Sequence, residues 1–172
     1  MTVVQTENLE AEINPGADSE QYLTFLLNGE EYGVEILKVQ GIQGWTRVTP
    51  IPNTPDFVLG VINLRGAVMP IIDLRKRFGL SDVSYGPTTV IVVVKVVEHD
   101  KERAVGLVVD AVSEVYNVDH HELKPAPNFG GTISTDYIKG LVTVQDKMLI
   151  LLEVDSLVNE GVLGLVPDQL IQ

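Results

Sequence analysis

The chain has no cysteine in its 172 residues. Disulfides, thiol nucleophiles and thiolate metal sites are thereby excluded, and a reducing cytosol is compatible with the composition. Basic residues are scarce: 12 Lys and Arg stand against 24 Asp and Glu, a formal net charge of −12. A field of that sign opposes nucleic acid and anionic lipid, and favours basic partner surfaces. Aromatic residues are only 6%. A small β-barrel that binds nucleic acid, the alternative from a different class, needs a basic and aromatic face, so it is a poor reading here. Long hydrophobic runs are missing too. The longest, Val90 to Val97, is interrupted by Lys95 and is too short to span a bilayer. The first twenty residues are polar and acidic, with neither a basic start nor an apolar segment, so no signal peptide is read there.

Chemistry-bearing motifs are equally sparse. No Gly-rich phosphate loop, nucleophile elbow or zinc motif occurs. His120-His121-Glu122 would point its two adjacent rings in different directions and has no second ligand group, so it reads as a solvated turn, as does His99. Asp73, Asp110, Glu153 and Asp155 fall at strand ends and helix starts, where capping is their first use. No nucleophile, base and oxyanion donor can be assembled from these residues. The expectation is a protein that is not an enzyme, with no catalytic residue, no cofactor and no metal.

What is present is apolar and short in period. Hydrophobic residues are 45% and charged ones 21%, the balance of a globular chain. Residues 57–74 hold two Val/Ile/Leu-rich runs around Arg65-Gly66, which predicts a buried hairpin with Arg65 at its tip. Gly66 supplies the backbone freedom of a tight turn. The tip arginine is either an ordinary solvated turn residue or a planar donor presented to a carboxylate or carbonyl.

Around this hairpin, residues 1–20 read as a flexible tail. Tyr22–Leu27 and Glu31–Ile36 read as strands turned by Asn28-Gly29, followed by an apolar pattern over Val39–Ile42. Three prolines, Pro50, Pro52 and Pro55, make the next segment a stiff loop. Asp73 caps a short helix, Leu74–Phe78, that Gly79 stops. Residues 81–88 form a link. Thr89–Val97 and Val105–Val109 are strands, Asp119 with Glu122 caps one helical turn, and residues 125–136 are a second loop. Ile138–Val144 and Met148–Val154 make a last hairpin, and Asp155 caps a terminal helix.

The chain also repeats itself. Asp56-Phe-Val-Leu-Gly-Val-Ile aligns with Asp136-Tyr-Ile-Lys-Gly-Leu-Val, 80 residues on, and Gly33 to Ile42 aligns with Gly106 to Val115, 73 residues on. Pro52-Asn53 matches Pro127-Asn128. The repeat predicts two similar five-stranded barrels, the first over residues 21–80 and the second over 87–157, with a groove at their seam. The C-terminal segment packs back, and 159–172 is a C-terminal helix or tail. At one place the units differ: Arg65-Gly66 corresponds to Gln145-Asp146. A structural turn tolerates either pair, which favours a functional arginine.

Read in order, Glu31-Tyr-Gly-Val-Glu-Ile-Leu-Lys-Val-Gln, Pro52-Asn-Thr-Pro-Asp-Phe, Gly60-Val-Ile-Asn-Leu-Arg-Gly, Pro70-Ile-Ile-Asp-Leu-Arg, Gly106-Leu-Val-Val-Asp-Ala-Val-Ser-Glu-Val, Lys124-Pro-Ala-Pro and Met148-Leu-Ile-Leu resemble the CheW family of bacterial chemotaxis coupling proteins. The resemblance covers about residues 20–158. It implies a mainly β fold of two SH3-like five-stranded barrels with short helices. It implies an adaptor joining the histidine kinase CheA, through its regulatory domain, to the cytoplasmic tips of methyl-accepting chemoreceptors. Other CheW-like domains in array rings are further implied partners. The implied location is cytoplasmic, at receptor arrays on the inner membrane, with no nucleic acid and no membrane insertion. A pilus, twitching or other non-flagellar pathway is the alternative setting. On this footing Arg65, Asn63, Val90 and Val115 are the receptor-binding positions, and Leu23, Ile36, Val39 and Gly60 the kinase-binding ones. One departure stands out. Where the family carries a glutamate able to pair with the arginine of Asn-Leu-Arg-Gly, this chain has Gly41, while the second unit keeps Glu114. Without that local partner, Arg65 is either left freer or pairs with Glu35 or with a carboxylate of a binding partner.

Overall fold

The structure, a computed structural model, describes residues 19–80, 83–98, 100–126 and 135–159. Ten strands carry the fold: β1 (Ser19–Leu27), β2 (Glu30–Glu35), β3 (Val39–Gly44), β4 (Val58–Leu64), β5 (Ala67–Asp73), β6 (Val90–Glu98), β7 (Lys101–Val109), β8 (Ala111–Asp119), β9 (Ile138–Val144) and β10 (Lys147–Leu152). Two short helices, α1 (Leu74–Arg77) and α2 (Val154–Asn159), follow β5 and β10. The strands form two five-stranded sheets, ordered β8-β1-β2-β10-β9 and β3-β6-β7-β5-β4.

The internal repeat is visible in the pairing. Gly60 pairs with Ile71 across β4 and β5, as Gly140 pairs with Leu151 across β9 and β10. Gly106 stands beside Ile71 in the parallel β5·β7 pair, as Gly33 stands beside Leu151 in β2·β10. All four edge pairs carry a register shift: between Val39 and Gly41 opposite β6, between Leu23 and Phe25 opposite β8, between Val58 and Gly60 opposite β5, and between Leu151 and Leu152 opposite β9. The contiguous boundaries are corrected, however. Residues 21–80 do not close a barrel of their own. Strands β1 and β2 join β8, β9 and β10, and β6 and β7 join β3, β4 and β5. Each barrel takes two strands from one repeat and three from the other. Periodicity marks which segments are strands, but strand partners are a long-range choice. Strand β8 is also absent from the linear reading, because Ser113-Glu114 interrupts its apolar pattern and only Tyr116 and Val118 are buried. Of the segment 1–20 read as a tail, residues 1–18 lie outside the described residues, whereas Ser19 and Glu20 already belong to β1. Pro127-Asn128, His99 and residues 160–172 also lie outside the described residues.

Alternation along the strands builds three apolar centres. In β1, Tyr22 faces one barrel interior with Tyr116, Val118, Val142, Leu149 and Leu151. Leu23, Phe25 and Leu27 face the other way, into the seam between the sheets. The second barrel encloses Ile62, Met69, Ile71, Ile91, Val93 and Val108. The seam core is the largest and draws on both repeats, from Val34 and Leu74 to Val94, Leu107 and Leu157. Each such side chain contributes roughly 1.5–3 kcal/mol on burial, so the barrels are held together by a full core.

Polar residues lock the same seam. Asp73 caps α1 by accepting from the Arg75 amide at 3.0 Å. Its carboxylate also accepts from Arg75 Nε and Nη2 at 3.0 and 2.9 Å, with Asp73 and Arg75 both buried. Arg75 Nη1 donates to Asp110 Oδ1 at 2.8 Å, and Asp110 Oδ2 accepts from the Asn28 amide at 2.7 Å. A buried charge pair is tolerated when its remaining hydrogen-bonding capacity is used in this way. Asp155 does not stand before its helix as a cap. It lies in the first turn of α2, and its carboxylate binds Lys38 Nζ at 3.0 Å and the Val97 amide at 3.2 Å.

Arg77 sits between two rings that the repeat relates, 4.5 Å from the Phe57 centroid and 4.6 Å from that of Tyr137. It also donates to the Tyr137 hydroxyl and to the Leu157 carbonyl. Arg77→Ala removes both ring contacts and these bonds, and is expected to cost about 2 kcal/mol in urea unfolding. Arg77→Lys recovers only part, because an ammonium cannot stack between two planes. Equal unfolding midpoints for Arg77→Ala and the parent chain would refute this role.

Candidate partner-binding site

The β4–β5 turn is built by the residues at its tip. Arg65 and Gly66 both adopt positive φ, 57° and 88°, the combination a two-residue hairpin with native twist requires. Asn63 Oδ1 accepts from the Gly66 amide at 2.9 Å and fixes the turn. The equivalent Gln145-Asp146 turn has φ of 52° and 65°. The two tips therefore share one backbone shape, and the fold makes no demand for a cation at 65.

Arg65 is exposed, and among the described residues it has no hydrogen-bond or ion-pair partner. Glu35 does not serve it, because Glu35 Oε2 holds Lys139 Nζ at 3.0 Å. Arg65 and Leu64 instead border a recess walled by β3 residues Gln40, Gly41, Ile42 and Gln43. A Cβ built on Gly41 meets nothing within 4 Å. The missing glutamate thus leaves open space in the recess that Arg65 borders. Ile42, a large apolar side chain 51% exposed, rims the same recess, and sequence patterning did not single it out.

The other receptor-side positions separate. Asn63 stands with Arg65. Val90 is half-buried and packs against the seam core. Val115 is exposed on β8, an edge strand of the other sheet. It pairs directly with Leu23, as Ile42 pairs with Val92, and both partners belong to the seam core. Directly opposite residues share a sheet face. Val115 and Ile42, equivalent in the repeat, therefore each stand on the rim of the seam.

Of the kinase-side positions, two present no exposed side chain. Leu23 is buried in the seam core and offers no side chain to a partner. Gly60 is buried with φ of +141°, and a Cβ there would lie 2.0 Å from the Thr49 carbonyl oxygen. Its role is close backbone approach. Ile36 and Val39 are half-buried and pack against the seam core. Between them Leu37, on the Ile36–Lys38 turn, is 86% exposed. Alternation could have found it: a leucine next to an inward isoleucine on a short turn must point out.

The surface beside that turn is charged and paired. Lys139 Nζ reaches Glu35 and, at 3.5 Å, Glu20, whose carboxylate also bonds His120 Nε2 at 2.9 Å. Burial pulls the Lys139 pKa down, but hydrogen bonds to Tyr22 and Glu35 with their charges outweigh it and raise it above the usual lysine value. Across the network at α1, burial and then the hydrogen bond to Asp73 push the Tyr85 phenol up to about 12. Lys139 is therefore a cation and Tyr85 a neutral donor throughout the physiological range.

Two seam-sharing barrels, an exposed arginine on a preformed tip and apolar edge residues define a class: a β-barrel scaffold that works through its surfaces. The CheW-like domain family model matches residues 21–162. The chain is 45% identical over 147 residues to the chemotaxis protein CheW of Klebsiella aerogenes, covering 86% of each chain. It is 33% identical over 161 residues to that of Bacillus subtilis, covering 92% of this chain and 98% of the relative. The crystal structure of the scaffolding protein TtCheW from Thermoanaerobacter tengcongensis is similar at a TM-score of 0.73 and 34% identity, covering 83% of this chain and 94% of that one. The chain belongs to the CheW family. It is a chemotaxis scaffold of two five-stranded barrel-like subdomains, and that family is one of adaptors, not of enzymes.

Proposed function

We propose that this protein couples the histidine kinase CheA to the cytoplasmic tips of methyl-accepting chemoreceptors, in the cytosol beneath the inner membrane. The observation that carries the reading is Arg65. It is an exposed guanidinium, without a partner among the described residues, on a turn whose repeat-related counterpart of the same shape has Gln145. Five fixed donors suit a carboxylate or the carbonyls at a helical hairpin tip. Val115 and Ile42 add apolar contact at the rim of the seam. Among the described residues no helix is long and apolar enough to cross a membrane, and attachment to receptors then supplies the array location. Co-sedimentation with receptor cytoplasmic fragments and with the kinase regulatory domain tests the reading. Retention of neither partner rejects it.

The kinase face centres on the Ile36–Val39 segment, with Leu37 in place of buried Leu23. An exposed leucine can be an anchor only if a partner covers it. Leu37→Asp is expected to leave unfolding unchanged within about 0.5 kcal/mol and to weaken kinase binding by about 2 kcal/mol. Calorimetric titration with the regulatory domain measures it, and unchanged affinity removes Leu37 from the interface.

A further inference from the structure

The way the repeats share strands bears on self-association, independently of the coupling role. Four strand pairs join the repeats: β1·β8, β2·β10, β3·β6 and β5·β7. None of these pairings requires residues 19–80 and 90–158 to belong to one molecule. Two copies could satisfy every pairing and all three cores by exchanging partners, with only the connection after α1 changing its route. That is the physical condition for domain swapping.

The connection is pinned to the first repeat. Arg75 Nη1 donates to the Ser84 carbonyl at 2.6 Å, and the Tyr85 hydroxyl donates to Asp73 Oδ2 at 2.7 Å. The Tyr85 ring stacks on Trp45 at 4.4 Å. Gly86 and Thr89 close a turn, with the Gly86 amide donating to Thr89 Oγ1 at 2.8 Å and the Thr89 amide to the Gly86 carbonyl at 3.1 Å. Tyr85 remains 39% exposed, so the pin is a surface feature that can release without opening a core. A short tether also gives the intramolecular partner an effective concentration in the millimolar range. Both effects favour the closed single chain in dilute solution, and both weaken when the pin is lost or the protein is concentrated.

We propose that the chain has a second folded form, a strand-exchanged dimer in which residues 19–80 of one copy complete both barrels with residues 90–158 of a second copy, and that the Tyr85 pin sets the balance between the two forms. Each dimer then carries two Arg65 tips and two Leu37 turns.

The absence of cysteine makes the test clean. Gln21 and Asn117 are exposed and directly opposite across β1 and β8, one from each repeat. In the Gln21→Cys/Asn117→Cys full-length chain, a disulfide lies within one chain in the closed form and between chains in the exchanged form. Two tagged versions of different length are unfolded together, refolded at about 10 µM to about 1 mM, a range reaching the tether's effective concentration, oxidised, and separated by size. Circular dichroism checks the soluble fractions. The expected result is a folded dimer fraction whose disulfides are intermolecular, including the mixed pair, rising with concentration. Tyr85→Ala should increase that fraction several-fold at a fixed concentration. A dimer containing only intrachain disulfides is edge-to-edge association and overturns the proposal. So does a monomer with only intrachain disulfides at about 1 mM in both the parent and Tyr85→Ala, or a Tyr85→Ala fraction equal to the parent's.

Discussion

Arg65→Ala lowers receptor affinity by about 1.5–3 kcal/mol, roughly ten- to a hundredfold, and leaves thermal unfolding unchanged within about 0.5 kcal/mol. Both halves follow from the tip. Arg65 is exposed and has no partner among the described residues, so its removal orphans nothing inside the protein. Positive φ at 65 is carried equally by Gln145 in the related turn, so the hairpin does not depend on the guanidinium. Arg65→Lys keeps the charge but not the planar fork, and recovers only part of the affinity. The recess adds a companion measurement. Gly41 has open space for a side chain, so Gly41→Glu is accommodated and brings a carboxylate to the wall that Arg65 borders. That variant should alter receptor affinity and leave kinase affinity as it was. Titration of receptor fragment against each variant decides the matter. Loss of fold in Arg65→Ala, or parent-like receptor binding by it, rejects the assignment.

Gly60→Ala destabilises the protein by at least about 3 kcal/mol. The added Cβ would stand 2.0 Å from the Thr49 carbonyl oxygen and 2.6 Å from its carbon, on a backbone at φ +141° that L-residues rarely adopt. Thr49 cannot retreat cheaply, because its amide and carbonyl both bond Val61 at 2.9 Å. The repeat supplies the control. Gly140 occupies the same register, but its Cβ would meet the Lys124 carbonyl oxygen at 3.1 Å, and the Lys124–Leu141 bonds at 2.8 Å mirror those at Thr49. Gly140→Ala should cost only about 1 kcal/mol. Urea unfolding of the two variants measures the difference. Any loss of kinase binding in Gly60→Ala would then track loss of fold. Equal, small costs at both glycines would mean that the Thr49 segment yields.

The sequence alone determined what local chemistry can encode. Asn28-Gly29 and Arg65-Gly66 specify their turns through positive φ, Asp73 specifies the start of α1, and alternating apolar residues specify most of the strands. The internal alignment located pairs such as Gly60 with Gly140 and Gly33 with Gly106, and the asymmetry of Arg65 against Gln145 singled out a tip whose guanidinium has no partner among the described residues. Tertiary structure alone decided which strands meet. The exchange of β1 and β2 for β6 and β7 between barrels alters no local propensity, because it depends on contacts between residues distant in sequence. The same holds for inside and outside on short apolar segments. Leu23, Ile36, Leu37 and Val39 are chemically alike, yet Leu23 faces the seam, Ile36 and Val39 lie against it and Leu37 faces water. Gly60 shows the limit most plainly. Its need for a missing side chain arises from the Thr49 backbone eleven residues earlier, a neighbour that only the folded chain brings within reach.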